Sequence, residues 1–269
     1  MAHELRTEAI DVAYPAVDPV ILVLTLKAPG DVTAQPGTGE QLLAGALECD
    51  APECAPAVEV HGGEVRFTHP EGWRIDSLLG RDRVNRLNLE LGTAKPYALH
   101  VKGGIGHASY ELGGLPITEL LVQAGAAEST IGFARPVLTP MSTLRVLTGA
   151  GSLRLEGLLN ASAERFEIKG AAGSARLHFT GDALNRDAKA EVTAALGSCA
   201  ILISSGVPAR VKVSGAIAQM TIGPGFVRKD TGATFWGGEY ATPEYESGAR
   251  PSLEIDVTTA LGMLSIETV

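Results

Sequence analysis

Between Leu99 and Ile266, apolar and polar residues alternate in short bursts, and the bursts recur. The clearest copy is Leu144-Arg145-Val146-Leu147-Thr148-Gly149-Ala150-Gly151-Ser152-Leu153-Arg154-Leu155. Two alternating apolar residues lead into a corner of very small residues, and two more follow it. Period-2 alternation puts successive side chains on opposite faces of a strand, so each burst reads as a strand with one buried face. Aligning the copies on a β-branched residue gives Val101, Val122, Val146, Ile168, Val192, Val213 and Val257. Two residues earlier stand Leu99, Leu120, Leu144, Phe166, Ala190, Val211 and Ile255; nine residues later stand Tyr110, Ile131, Leu155, Leu177, Ile201, Ile222 and Ile266.

Successive copies lie 21, 24, 22, 24, 21 and 44 residues apart. A self-similar period of this length is the mark of a stacked array. No amphipathic helical run separates the copies, so the chain predicts an all-β fold: a single-stranded parallel β-helix, or solenoid, whose equivalent strands pair about 4.8 Å apart. The corner columns are Gly104, Gly125, Gly149, Ala171, Ala195, Ala216, Ala260 and Gly106, Ala127, Gly151, Gly173, Gly197, Ala218, Gly262. Glycine serves either positive φ or close backbone approach. The alanines favour crowding, because alanine is penalised at positive φ, and so predict tight interior bends.

Residues 1–95 lack the clean repeat but carry strand patterns at Val20–Leu26, Gln41–Leu47, Ala57–Val60, Glu64–Thr68 and Val84–Leu91. Leu26–Val32 is an eroded copy of the repeat. This part is expected to be an irregular β lead-in and cap, continuous with a solenoid of about seven coils over residues 96–269. The doubled last interval holds an insertion, residues 224–250, with five of the chain's 13 aromatic residues: Phe226, Phe235, Trp236, Tyr240 and Tyr245. Phe235, Trp236, Tyr240 and Tyr245 are the candidate binding residues, since protruding aromatics mark interfaces. The alternative, which we favour, is a hairpin folded over the last coil, whose edge would otherwise be bare.

The balance of 45% hydrophobic but only 5% aromatic residues, with 32 glycines in 269, suits stacked coils. A net charge of −9, unrelieved by any basic cluster, opposes binding to nucleic acid or anionic lipid, and no nucleic-acid partner is expected. The longest apolar run, Val20–Leu26, is far short of the roughly 20 residues that span a bilayer as helix, and the start lacks the pattern of a secretory signal. The expectation is a soluble chain, cytoplasmic by default, reaching the envelope only through a partner. Protein binding or self-association would use the terminal coil or the insertion. Cys49 and Cys54 admit a disulfide, free thiols, or a zinc site with His61 and His69; the spacing is unusual for zinc, and no metal is expected. Cys199 falls in an inward column and reads as a small buried hydrophobe.

Catalytic constellations are missing from the sequence. Glu119, Glu128, Glu156, Glu167 and Glu191 are scattered beside inward positions, and read as a solvated face. His100, His107 and His178 flank inward positions too, and the Gly-x-Ser-x-Gly elbow does not occur. Gly223–Thr231 lacks the Gly-Lys-Ser/Thr ending of a phosphate loop. No catalytic residue and no cofactor are expected.

Leu144–Leu155, Phe166–Gly173, Val207–Gly215 and Ile255–Ile266 together resemble the bacterial toast-rack family of β-solenoid domains, with likeness over nearly the whole chain. These domains are similar to the C-terminal domains of cell-wall-active antibiotics response proteins and to adhesin-like domains. The resemblance implies a fold and an envelope-related setting rather than a mechanism. The reading is a non-enzymatic scaffold or interaction module linked to envelope stress response or adhesion; the alternative is a carbohydrate-binding or polysaccharide-cleaving β-helix.

Overall fold

The structure is a computed structural model describing residues 5–27, 30–50, 55–70, 84–103, 106–182, 184–229 and 237–269. Its strands in the lead-in are β1 (Arg6–Ala13), β2 (Val20–Leu26), β3 (Gly30–Pro36), β4 (Gln41–Cys49), β5 (Ala57–His61), β6 (Glu64–Thr68) and β7 (Asn85–Leu91). The repeat supplies β8 (Tyr97–Gly103), β9 (Gly106–Glu111), β10 (Ile117–Gly132), β11 (Met141–Glu156), β12 (Ala163–Phe179), β13 (Ala188–Ile203) and β14 (Ala209–Ile222). After them come β15 (Val227–Lys229), β16 (Gly238–Ala241), a single helical turn α1 (Pro243–Glu246) and β17 (Leu253–Thr268).

The long strands turn the corner and resume pairing in the same register beyond it, with one residue such as Gly125 or Gly149 left out of the ladder and a local irregularity where β14 meets β17. β10 and β11 are parallel and in register from Glu119·Thr143 through Ala126·Ala150 to Gly132·Glu156. The half before the corner belongs to one face of the solenoid and the half after it to the other. Apolar side chains from both halves meet in one core, which holds Leu144, Val146, Leu153 and Leu155 of a single rung. The files read from sequence are stacked neighbours: Val101·Val122, Val122·Val146, Val146·Ile168 and Ile168·Val192 pair directly. All are buried. Each Val, Leu or Ile so removed from water contributes about 1.5–3 kcal/mol. Phe166, the one aromatic in its file, packs edge-on against Phe179 with ring centroids 5.4 Å apart.

Order in space departs from order in sequence at one place. β17 pairs with β13 on one side and with β14 on the other, both in parallel, so Val257 lies between Val192 and Val213. The last copy is therefore an inner rung, and β14 ends the stack. The long interval between Ile222 and Leu253 carries the chain past the β14 edge and back into the slot between β13 and β14. Burial records the same order. Ile266 and Leu264 of β17 are buried, whereas Ile222 and Met220 of β14 are only partly covered.

The corners also differ from expectation. Gly149, Ala150 and Gly151 are exposed, so the crowding there comes from the neighbouring rung rather than from the core. Gly106, Gly151, Gly173 and Gly197 all have φ between 120° and 130°. A Cβ built at Gly151 would fall on the carbonyl oxygen of Ala127, and one at Gly173 on that of Gly151. Positive φ and crowding thus act together at these four positions, although Ala127 and Ala218 in the same column adopt no positive φ.

At the start of the chain, β2 and β3 form a further rung: Leu22·Leu99 and Leu24·Val101 pair before the corner, Val32·Ala108 and Ala34·Tyr110 after it. Beyond that rung the two faces part. One continues through β6, parallel to β2, and closes with antiparallel β5. The other continues through β7, parallel to β3, then antiparallel β4 and β1. β1 and β3 carry no strong strand pattern; their burial is confined to Ile10 and Val12, and to Ala34. Opposite the corners, loops form the remaining wall. Buried Asn160 binds three coils there, its Nδ2 donating to the Phe133 carbonyl at 3.0 Å and its Oδ1 accepting from Asp182 N at 2.9 Å.

Cys49 is in a disulfide, and Cys54 lies outside the described residues. His69 spends its ring nitrogens on Pro70 O and Asn85 Oδ1, so the zinc set proposed from sequence has lost two ligands. Cys199 is a free, buried thiol whose pKa burial pushes up to about 12. No helix among the described residues is long and apolar enough to cross a membrane.

Two outcomes test this architecture. Gly151→Val is expected to lose roughly 1–3 kcal/mol or more, from overpacking and backbone strain together, read as a lowered thermal midpoint. Gly149→Ala, where φ is ordinary and the nearest backbone atom lies 3.1 Å from the added carbon, should cost less. Truncation before residue 251 removes an inner rung, so cooperative unfolding should vanish in calorimetry; a truncated chain that still unfolds cooperatively would refute the topology.

Candidate functional site

The 224–250 insertion is organised by the edge it covers. β16 runs antiparallel to β14, with Val211 opposite Tyr240, and β15 pairs outside β16. Tyr240 therefore continues an inward file and is 5% exposed. It plugs the end of the core, so of the two readings offered for the insertion Tyr240 fits the hairpin over the last coil and not the surface candidate. Phe235 and Trp236 lie outside the described residues. Tyr245, on α1, is half-buried, and Phe226 packs against the core. Thr242 caps α1 and ties it down: buried Oγ1 accepts from Ala209 N and donates to Val207 O, each at 3.0 Å.

Around Tyr245 the polar side chains are bound to one another. Its hydroxyl donates to Glu254 Oε1 at 3.0 Å, and Arg210 Nη2 reaches Glu254 Oε2 at 3.3 Å. Arg210 also lies 3.7 Å from Glu239 and 4.0 Å from Asp256. Lys229 pairs with Glu246 at 2.7 Å, and its ammonium lies 5.9 Å from the Tyr245 ring centroid. Desolvation acts to raise the Glu254 pKa, but the Tyr245 hydroxyl and Arg210 together outweigh it and hold the carboxyl below its usual range. Desolvation and then the Glu254 carboxylate raise Tyr245. The cluster keeps Tyr245 protonated and Glu254 ionised, which suits a clasp between hairpin and stack rather than proton transfer. A second clasp holds β17 in its slot. Asp187 Oδ1 accepts from Ser252 N at 2.8 Å and from Arg250 Nη1 at 3.1 Å.

The scattered acids face outward as expected, and four of the five, Glu119, Glu128, Glu156 and Glu167, have a basic side chain close by. Arg145 grips Glu167 with two bonds of 2.7 and 3.0 Å between adjacent rungs, which holds the Glu167 carboxyl below its usual range. His107 lies 3.1 Å from Glu128, His100 3.5 Å from Glu119, and Arg154 3.2 Å from Glu156. On the face after the corner, Ser152, Ser174 and Ser198 stack in register, with Arg154 and Arg176 two residues further along. The first two serines, both arginines and Glu128 line a shallow groove of about 250 Å³. Two voids along the corners, about 20 and 30 Å³, have room for a water apiece.

Parallel rungs, alternating inward files and a hairpin-capped end define a β-solenoid domain. Residues 2–136 match the family model for the N-terminal domain of toast_rack, DUF2154. The chain belongs to the toast-rack family. No curated protein matches it. Among solved structures it is similar to a protein of Clostridium sporogenes provisionally called a cell adhesion protein, at 12% identity and TM-score 0.48 over 99% of this chain and 100% of that one. It is also similar to a provisional adhesin of Bacteroides fragilis, at 12% identity and TM-score 0.42 over 98% and 97% of the two chains. A provisional lipid-binding protein of Parabacteroides distasonis is similar at 12% identity and TM-score 0.38 over 98% and 96%.

The β17 clasp should be acid-sensitive. The backbone amide of Ser252, then Arg250, lower the Asp187 pKa in the folded chain. Its contribution is complete above the ordinary aspartate value of about 4 and is lost as pH falls through the lowered folded value. The gap in thermal midpoint between wild type and Asp187→Asn should accordingly shrink below about pH 4; a gap that is constant with pH would show that the clasp contributes nothing.

Proposed function

We propose that this protein is a non-enzymatic interaction module of the bacterial envelope, a rigid solenoid presenting two ladder faces to a partner in stress response or adhesion. The observation that supports this reading is where the titratable side chains spend their bonds. Glu119, Glu128, Glu156 and Glu167 each lie beside an arginine or a histidine on the same or an adjacent rung, a use that supports the stack. Membership of the toast-rack family supports the envelope setting.

A second reading, carbohydrate binding, draws support from the groove beside the serine file. Stacked hydroxyls flanked by Arg154 and Arg176 match the hydrogen-bonding groups of a glycan.

A glycan array read alongside a reducing-sugar release assay separates the two. The module reading expects no sugar release, and no array signal that Arg176→Ala abolishes. Release that disappears on substituting a single carboxylate, Glu128→Gln for instance, would overturn it in favour of a polysaccharide-cleaving enzyme.

A further inference from the structure

The most exposed strand of the protein lies at the opposite end from the insertion. All five residues of β5 are exposed, and among the described residues the strand pairs only with β6. Val58 and Val60 stand opposite Phe67 and Val65, both buried, so they face the same side as the core. Yet they are 42% and 54% exposed: the sheet overhangs the core by one strand. A free edge with an uncovered apolar face is a template for another strand.

We propose that the protein forms a twofold dimer in which β5 of one copy pairs antiparallel with β5 of a second, Val60 against Val60.

Register and charge carry this choice. The hairpin turns on two residues, Gly62 and Gly63, with Gly62 at φ 61°, so His61·Glu64 is the closing hydrogen-bonded pair. The backbone groups of Val58 and Val60 then point to the free edge, where a twofold axis at Val60 lets its N–H and C=O bond reciprocally with those of its mate. On the core side, a row Val65·Val60·Val60·Val65 crosses the interface. On the outer side, Glu59 stands beside Arg66 and His61 beside Glu64 within each hairpin. The twofold sets Glu59 of each copy against His61 of the other, giving the order Arg66, Glu59, His61, Glu64 across four strands and its reverse alongside. A carboxylate accepts from a histidine ring N–H in either charge state. Centring the axis one residue earlier would oppose Glu59 to Glu59, which like-charge repulsion disfavours. Within one chain Glu59 and His61 are only 4.0 Å apart and well exposed, so both are available to exchange partners.

Sedimentation velocity over a concentration series tests the proposal. The wild-type chain is expected to be in monomer–dimer equilibrium, and Val60→Lys to be monomeric with unchanged circular dichroism. Glu59→Lys alone removes both carboxylate–histidine contacts, and His61→Glu alone places like charges at two symmetric positions; each should weaken dimerisation by about tenfold. Mixed together, those two variants should regain it, because the heterodimer joins Lys to Glu at one pair and His61 to Glu59 at the other. A wild type that stays monomeric up to about 1 mM, a dimer indifferent to Val60→Lys, or a mixture no tighter than its components would each overturn the proposal.

Discussion

The structure depends on a backbone ladder that keeps its register while the strand bends. Were the ladder to break at each corner, successive rungs could slip by a residue and turn their apolar side chains outward. Instead the pairing runs on through Ala124·Thr148 and Ala126·Ala150 into the second half. The bend must then be nearly the same on every rung, and the carbonyl of one rung comes to occupy the place of a side chain on the next. Gly151 over Ala127, Gly173 over Gly151 and Gly197 over Gly173 meet that demand in succession. From this constraint follows the direct contact of Val122, Val146 and Ile168.

That logic made the rung pattern legible in the sequence, because every rung must satisfy it separately. It left stacking order hidden for the same reason. Val213 and Val257 sit in equivalent patterns, so either could end the stack as far as local alternation goes. What decides is long-range: β17 has a partner on each side, while the second half of β14 has one among the described residues. The glycine conformation is not legible from the column, because an alanine on one rung does not constrain the φ of the glycine on the next. Ala127 keeps ordinary φ where Gly151, one rung on, does not.

The polar surface was more legible than the sequence reading allowed. Arg145 and Glu167 both stand one residue before the reference file, and His107 and Glu128 both stand six after it. Once the rungs are stacked, such residues are neighbours about 4.8 Å apart, close enough for a basic side chain to meet a carboxylate. Arg210 and Glu254 share a column too, but only the insertion of β17 beside β14 brings them together. The Tyr245 clasp joins residues from the insertion to that column, and nothing local in the sequence announces it. Sequence alone leaves Tyr240 open between surface and cap, because the antiparallel strand that carries it has no alternating pattern of its own.

The two ends of the solenoid solve one problem in different ways. A stack of parallel rungs exposes an unpaired edge at each end, and its last apolar residues lack a neighbour to cover them. At the β14 end, an antiparallel strand lays Tyr240 over the file, and ion pairs through Arg210 and Lys229 fasten the hairpin. At the other end the second face is closed by β4 and β1, whose Leu43, Leu47, Ile10 and Val12 are buried. Among the described residues the first face has no such closure beyond β6, since β5 carries its valines past the core. The fold thus invests its clasps where the stack ends in sequence-distant rungs, and leaves an apolar edge flanked by opposite charges where the chain's early hairpin projects. A module built to be rigid along its length is open to association at that projecting edge, and the faces between the ends remain polar and self-paired.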